Sequence, residues 1–200
     1  MPPKKRVAPD FLASAVVKQP KKLSNNALLQ TIVTLASKPS HQIDRGEMRT
    51  VYQLTNADIK HLDKDVKELY VKERLVEMAR QCRYMGNKPS NYEDYIIPEF
   101  LRTIEVHNIL PGAPAQPKHA DNLDNPNYYT AILNTANNQM PYGTEFDDMA
   151  MSSHGGWNTS TSDNIIFSGS AIHRGPHATA AREFVALVFT DQEDPNTSKP

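Results

Sequence analysis

Twice in this chain of 200 residues a histidine stands two positions before an aspartate, at His61–Asp63 and at His119–Asp121. Side chains two apart share a face on a strand but stand about 200° apart around a helix. Only an extended segment therefore lets such a pair grip one ion. His61 and Asp63 fall inside a helical pattern, whereas PKHADNLDN (117–125) follows a Pro-rich turn and reads as a segment entering a strand. A third donor is His173 at the end of IIFSGSAIH, and Arg182 opens the last apolar run nine residues later. Two neutral imidazoles and one carboxylate on one face, with the other positions open, suit non-haem Fe(II) and O2 chemistry. The open positions admit an α-keto acid, and the Arg182 guanidinium can hold its far carboxylate through two parallel hydrogen bonds. Plainer roles exist for each: a polar loop pair for His119 and Asp121, a strand-end histidine for His173, a structural cap for Arg182. His177 could replace His173 if the GP turn between them folded back, and Arg174 faces away from its neighbour His173 in an extended segment.

These residues need a scaffold of strands. FLRTIEVHNI (100–109), NYYTAILN (127–134), NIIFSGSAIH (164–173) and REFVALVFT (182–190) are rich in β-branched and aromatic residues and read as strands. The last is apolar on both faces, as befits a strand inside a sandwich or barrel. LPGAPAQP (110–117) is a Pro/Gly loop, and DDMAMSSHGGWNTSTSD (147–163), with Met149, Met151, His154 and Trp157, is a long polar loop. Two helices precede the strands. SNNALLQTIVTLASK begins with the cap candidate Ser24 and places Leu28, Ile32, Leu35 and Ala36 on one side. The second runs from Asn56, a cap candidate, through Ile59, Leu62, Val66, Leu69, Leu75, Met78 and Cys82, with Gly86 just beyond. The layout predicts a basic flexible arm over 1–23, a helical region over 24–97, a β core over 98–190 and a flexible tail over 191–200.

Composition narrows the class. No apolar run approaches the roughly 20 residues of a membrane span, and none follows the basic N-terminus as a secretory signal does. One cysteine cannot form an intrachain disulfide and fits a reducing compartment. The expectation is a soluble intracellular protein, cytoplasmic or nuclear, with no membrane partner. The net charge of −1 conceals an asymmetry: six basic residues against Asp10 make residues 1–22 +5. KKR and KQPKK within residues 3–22 resemble a bipartite nuclear-import signal, and also suit a nucleic-acid tether or a plain solvated tail. No nucleophile elbow, phosphate-binding loop or dinucleotide-binding glycine pattern is present, and one cysteine excludes a multi-thiolate zinc site.

HADN (119–122), YYTAILN (128–134), YGTEF (142–146), IIFSGSAIHRGP (165–176) and REFVALVFT (182–190) together resemble the Fe(II)/2-oxoglutarate-dependent oxygenases, nearest their prolyl-hydroxylase-like branch. The resemblance covers roughly residues 98–190. It implies an α+β fold, a double-stranded β-helix (jelly-roll) core with N-terminal helices packed outside. It implies that His119, Asp121 and His173 hold the metal and that Arg182 binds the distal carboxylate of 2-oxoglutarate. The branch usually carries a supporting tyrosine where Ile132 stands here; Tyr128 and Thr130 lie on the same face and can take its place in cosubstrate binding. The implied cofactors are Fe(II), 2-oxoglutarate as cosubstrate and O2, with ascorbate as an optional reductant. The implied reaction hydroxylates a substrate C–H, with succinate and CO2 as co-products and a protein or peptide side chain as favoured substrate. Two alternatives accompany it: a nucleic-acid-directed oxygenase, and a catalytically inactive jelly-roll that binds or builds.

Overall fold

A computed structural model gives the fold over residues 16–19, 26–44, 46–72, 100–125, 128–141, 143–147, 157–158 and 164–190. The elements are, in order, β1 (Val16–Gln19), α1 (Asn26–Ala36), β2 (Gln42–Asp44), β3 (Arg49–Gln53), α2 (Asn56–Lys72), β4 (Phe100–Ile109), β5 (Tyr129–Asn134), β6 (Glu145–Phe146), β7 (Trp157–Asn158), β8 (Asn164–Ser168), β9 (His173–Arg174) and β10 (Arg182–Thr190). Seven strands form one sheet in the order β1-β8-β5-β10-β4-β3-β2, and three form a second, β7-β6-β9. Every pairing is antiparallel.

The register explains the two faces of the large sheet. Residues directly opposite one another in antiparallel strands point the same way, and alternate residues point oppositely. Ile104, Leu187, Ala131 and Ile166 form one such row and Val106, Val185 and Leu133 another. Both belong to the core shared with Leu28, Leu29, Ile32, Ile59, Leu62 and Val66 of the helices. Rows of the other parity, Ile109–Arg182 and Ala186–Ile132–Ile165, turn to the opposite face. There the apolar members join Phe146, Phe167 and Phe184 in a separate core. β10 is buried along nearly its whole length because it packs on both sides, which is why it reads as an unbroken apolar run.

α2 starts one residue after its cap. Thr55, not Asn56, holds that position: the Asp58 N–H donates to Thr55 Oγ1 and the Thr55 N–H to Asp58 Oδ2, a reciprocal capping box. His41 ties this end to α1, its Nδ1 donating to Leu35 O (2.9 Å) while Nε2 lies 3.2 Å from Asp58 Oδ2. His61 is exposed on α2.

Four differences from the sequence reading stand out. β2 and β3 lie inside the span expected to be helical, and β3 pairs with β4, so the sheet crosses the 97/98 boundary. β1 lies inside the span expected to be a flexible arm and pairs with β8. The expected strand 164–173 is two strands in different sheets, because the chain turns at Gly169–Ala171, where Ala171 N donates to Ser168 O. A Cβ on Gly169 would lie 2.5 Å from the Tyr128 ring, so glycine permits that close approach. Finally, the two-residue strand β7 interrupts the expected polar loop, where it pairs with β6. Residues 148–156 and 159–163 of that loop, with His154, Met149 and Met151, the cap candidate Ser24, the second helix beyond Lys72 with Cys82, and the tail lie outside the described residues. No helix of the described residues is long and apolar enough to cross a membrane.

Candidate metal centre and its cavity

Gly112 begins the construction of the site. At φ +90° it takes a backbone conformation that favours glycine and turns the chain away from β4. Residues 112–119 then run against 173–178, joined by Gly112 N→Ala178 O, Gln116 N→Gly175 O, and a reciprocal pair between His119 and His173. This stretch acts as one more, irregular, strand on the edge of the small sheet. It sets the two histidines directly opposite each other, with ring centroids 4.5 Å apart.

One donor atom each from His119, Asp121 and His173 lie within 4.8 Å of one another. Asp121 Oδ1 is 3.9 Å from His119 Nε2 and 3.6 Å from His173 Nε2. Both rings are held in the same way, by the carbonyl two residues earlier: His119 Nδ1 to Pro117 O at 3.0 Å and His173 Nδ1 to Ala171 O at 2.9 Å. A carbonyl only accepts, so each Nδ1 carries the hydrogen. In the neutral ring that leaves the Nε2 lone pair bare and aimed at its neighbours. Burial holds the His173 imidazole below its ordinary range, against an upward pull from Asp121. It is therefore a neutral donor at neutral pH. From the large sheet, Thr130 Oγ1 donates to Asp121 Oδ2 at 2.7 Å and fixes the carboxylate. Donor chemistry, tautomer and spacing thus fit a hard-to-borderline divalent ion with open positions.

Asp121 and His173 line a cavity of about 210 Å³ together with Arg182, Thr130 and Tyr128. Arg182 is buried at the start of β10, with Nη2 donating to Thr144 Oγ1 at 3.1 Å and its guanidinium carbon 4.4 Å from the Phe184 ring centroid. Its Nε is buried with no hydrogen-bond partner among the described residues. Burial, with the nearby charge of Arg49, lowers the Arg182 pKa to about 10, so the group remains cationic at neutral pH. A buried cation with an unused donor fits an anionic ligand. Tyr128 lines the cavity while Tyr129 points into the helix-side core. Burial first, and then Asp121, push the Tyr128 phenol up to about 12. Ile132 also lines the cavity and offers it no polar atom.

The rivals are displaced. Arg174 pairs with Glu145 across β6 and β9, and His177 is exposed and absent from the cavity wall. Five polar wall residues lie outside the sequence reading of the site: Arg49, Glu105, His107, Gln116 and Thr144. Arg49 hides within a strand that the sequence reading took for part of a helical region. Thr144 sits inside YGTEF, a stretch the resemblance did flag.

No family model matches the chain, and no curated protein matches it in sequence. Solved structures do match. A prolyl-4-hydroxylase from Pseudomonas putida superposes with a TM-score of 0.54 at 14% identity, covering 92% of this chain and 97% of that one. A prolyl hydroxylase from Trichoplax adhaerens, in complex with a peptide fragment of a hypoxia-inducible factor oxygen degradation domain, gives 0.57 at 13%, covering 96% and 92%. The epimerase SnoN of nogalamycin biosynthesis, in complex with Fe3+, alpha ketoglutarate and nogalamycin RO, gives 0.60 at 12%, covering 96% and 91%. In fold, this chain stands with the 2-oxoglutarate/Fe(II) oxygenases, prolyl hydroxylases among them.

Proposed function

We propose that the protein is an Fe(II)- and 2-oxoglutarate-dependent dioxygenase that hydroxylates a substrate C–H, with a protein side chain as the favoured substrate. The carrying observation is the three-donor cluster, two of whose members, Asp121 and His173, line a cavity that also holds a buried, under-used guanidinium. On this reading the two sheets are a double-stranded β-helix with the helices outside, and His119, Asp121 and His173 hold the iron. Arg182 binds the distal carboxylate of 2-oxoglutarate. Bound there, iron and 2-oxoglutarate supply the oxidation, one atom of O2 ending in succinate beside CO2 and the other in the hydroxylated product.

The chain's own groups do the positioning. The carbonyls of Pro117 and Ala171 keep both imidazoles in the ligating tautomer, and Thr130 orients Asp121 rather than leaving it to rotate. Tyr128, close to Asp121 and kept protonated by its surroundings, offers a hydroxyl to ligands at the cavity wall. Phe167, Phe184 and Ile132 add apolar wall to the cavity, which strengthens the electrostatic contacts inside it. A peptide substrate is supported by the Trichoplax complex alone, and that is an analogy of fold. Residues 3–22 remain the proposed contact for nucleic acid or an import factor, consistent with a cytoplasmic or nuclear protein.

Uncoupled turnover tests this. Wild-type protein supplied with Fe(II), 2-oxoglutarate and air should form succinate, and His173→Ala and Arg182→Ala should not. A wild-type protein that binds metal yet forms no succinate would instead be a jelly-roll binding module.

A further inference from the structure

Arg49 and Arg182 come from strands remote in sequence yet meet over the same residue. Ile109 on β4 pairs with Arg49 of β3 on one side and with Arg182 of β10 on the other. The three Cβ atoms therefore share a face, the two arginines about 10 Å apart at their Cα atoms, two strand spacings. Both side chains line the 210 Å³ cavity that Asp121 and His173 also line. Neither guanidinium makes an ion pair with a carboxylate among the described residues. Arg49 donates one Nη2 hydrogen bond to Pro114 O. Of the two acidic wall residues, Glu105 bonds His107 at 2.9 Å and Asp121 accepts from Thr130. The placing of Arg49 is built in. A Cβ on Gly175 would lie 3.1 Å from Arg49 Nη1 and 2.6 Å from Gln116 Oε1, so the missing side chain at 175 leaves room for both. Two like charges lowered into one small cavity repel each other and lose hydration. An anion lying between them relieves both costs. The volume is below the usual range for drug-sized ligands, so the anion is small.

We propose that Arg49 is a second anion-binding residue, forming with Arg182 a two-guanidinium clamp on the distal carboxylate of the keto-acid cosubstrate and selecting dicarboxylates over monocarboxylates. This rests on the oxygenase reading above. It assigns to Arg49 the polar support that Ile132 lacks.

The test loads wild type, R49A, R49K and R182A with Mn(II) under nitrogen. Calorimetry then measures the affinity of each for 2-oxoglutarate and for 2-oxobutyrate, which has the same chelating head and no distal carboxylate. Wild type should prefer 2-oxoglutarate. R49A should weaken 2-oxoglutarate roughly 10–100-fold, the range for a charge-assisted hydrogen bond, and leave 2-oxobutyrate unchanged. R49K keeps the charge without the fork and should lose less. A purely structural role would lower both affinities together, and that overturns the proposal, as does an R49A protein with wild-type affinity for 2-oxoglutarate. If R182A alone loses 2-oxoglutarate, the oxygenase reading stands and the clamp falls. If Mn(II)-loaded wild type binds neither keto acid, both fall. Should R49A fail to fold, R49Q, which can still donate to Pro114 O, carries the same comparison.

Discussion

Thr130→Val removes one hydroxyl and keeps the shape of the side chain. Thr130 is buried on β5, and its Oγ1 donates to Asp121 Oδ2 at 2.7 Å, a hydrogen bond that ties the large sheet to the metal cluster. A hydrogen bond to a charged acceptor contributes about 1.5–3 kcal/mol. Asp121 retains some solvent access, with its side chain 23% exposed, so water recovers part of the loss. The lower half of the range, about 1.5–2 kcal/mol, then applies to the metal-bound state. That converts to metal binding weaker by roughly 10–30-fold, within the span expected when a group supporting a metal ligand is removed. The metal-free protein should change little, because its carboxylate rehydrates by rotating toward solvent. Competition of wild type and variant against a calibrated chelator for Mn(II) reads the affinity, and denaturant melts with EDTA read the stability. Metal affinity within twofold of wild type would refute the idea that the large sheet orients Asp121.

Further outcomes follow from the same geometry. Gly169→Ala places a Cβ against the Tyr128 ring; a packed ring yields at about 1–3 kcal/mol, so thermal melts should show a Tm several degrees lower. Thr55→Ala breaks the capping box of α2 and should cost about 0.5–2 kcal/mol in urea denaturation, with metal affinity unchanged. For pH, burial holds His173 below its ordinary range. Below about pH 6.5 the unfolded chain takes up this proton and the folded, metal-free protein does not. The unfolded state then binds more protons, so stability falls as pH drops through that window and levels off below the folded pKa. Urea melts between about pH 5 and 7.5 should show this slope in wild type and a smaller one in His173→Gln.

What the sequence disclosed and what it hid divide along physical lines. β4 and β10 match their runs residue for residue: β10 is buried on both faces and apolar over nearly its length, and β4 sets buried Leu101, Ile104, Val106 and Ile109 among polar residues. The triad was legible because it needs an extended H-x-D and a distant histidine, and both lie near strong strands. β2 and β3 went unread: each is short and half-polar, and Arg49 faces a cavity rather than the core, which blurs the alternation that marks a strand. β1 was hidden in the same way among lysines. The break at Gly169 was masked because Ile165–Ser168 and Ala171–His173 are both buried, and burial alone looks continuous across a turn. Arg49 could not be found from sequence, since its meaning depends on a register shared with Ile109 and Arg182 across two unconnected pairings.

The central claim is that one ion sits between the imidazoles at 119 and 173 and the carboxylate at 121 with room beside it for a chelating keto acid. Anaerobic titration of the metal-free protein with Fe(II) and then 2-oxoglutarate tests it most directly. The account predicts a visible metal-to-ligand absorption band that appears only with both added, saturates at one equivalent of iron, and is absent in Asp121→Ala. A wild-type protein that takes up iron and 2-oxoglutarate without that band, or shows it undiminished in Asp121→Ala, would contradict the account.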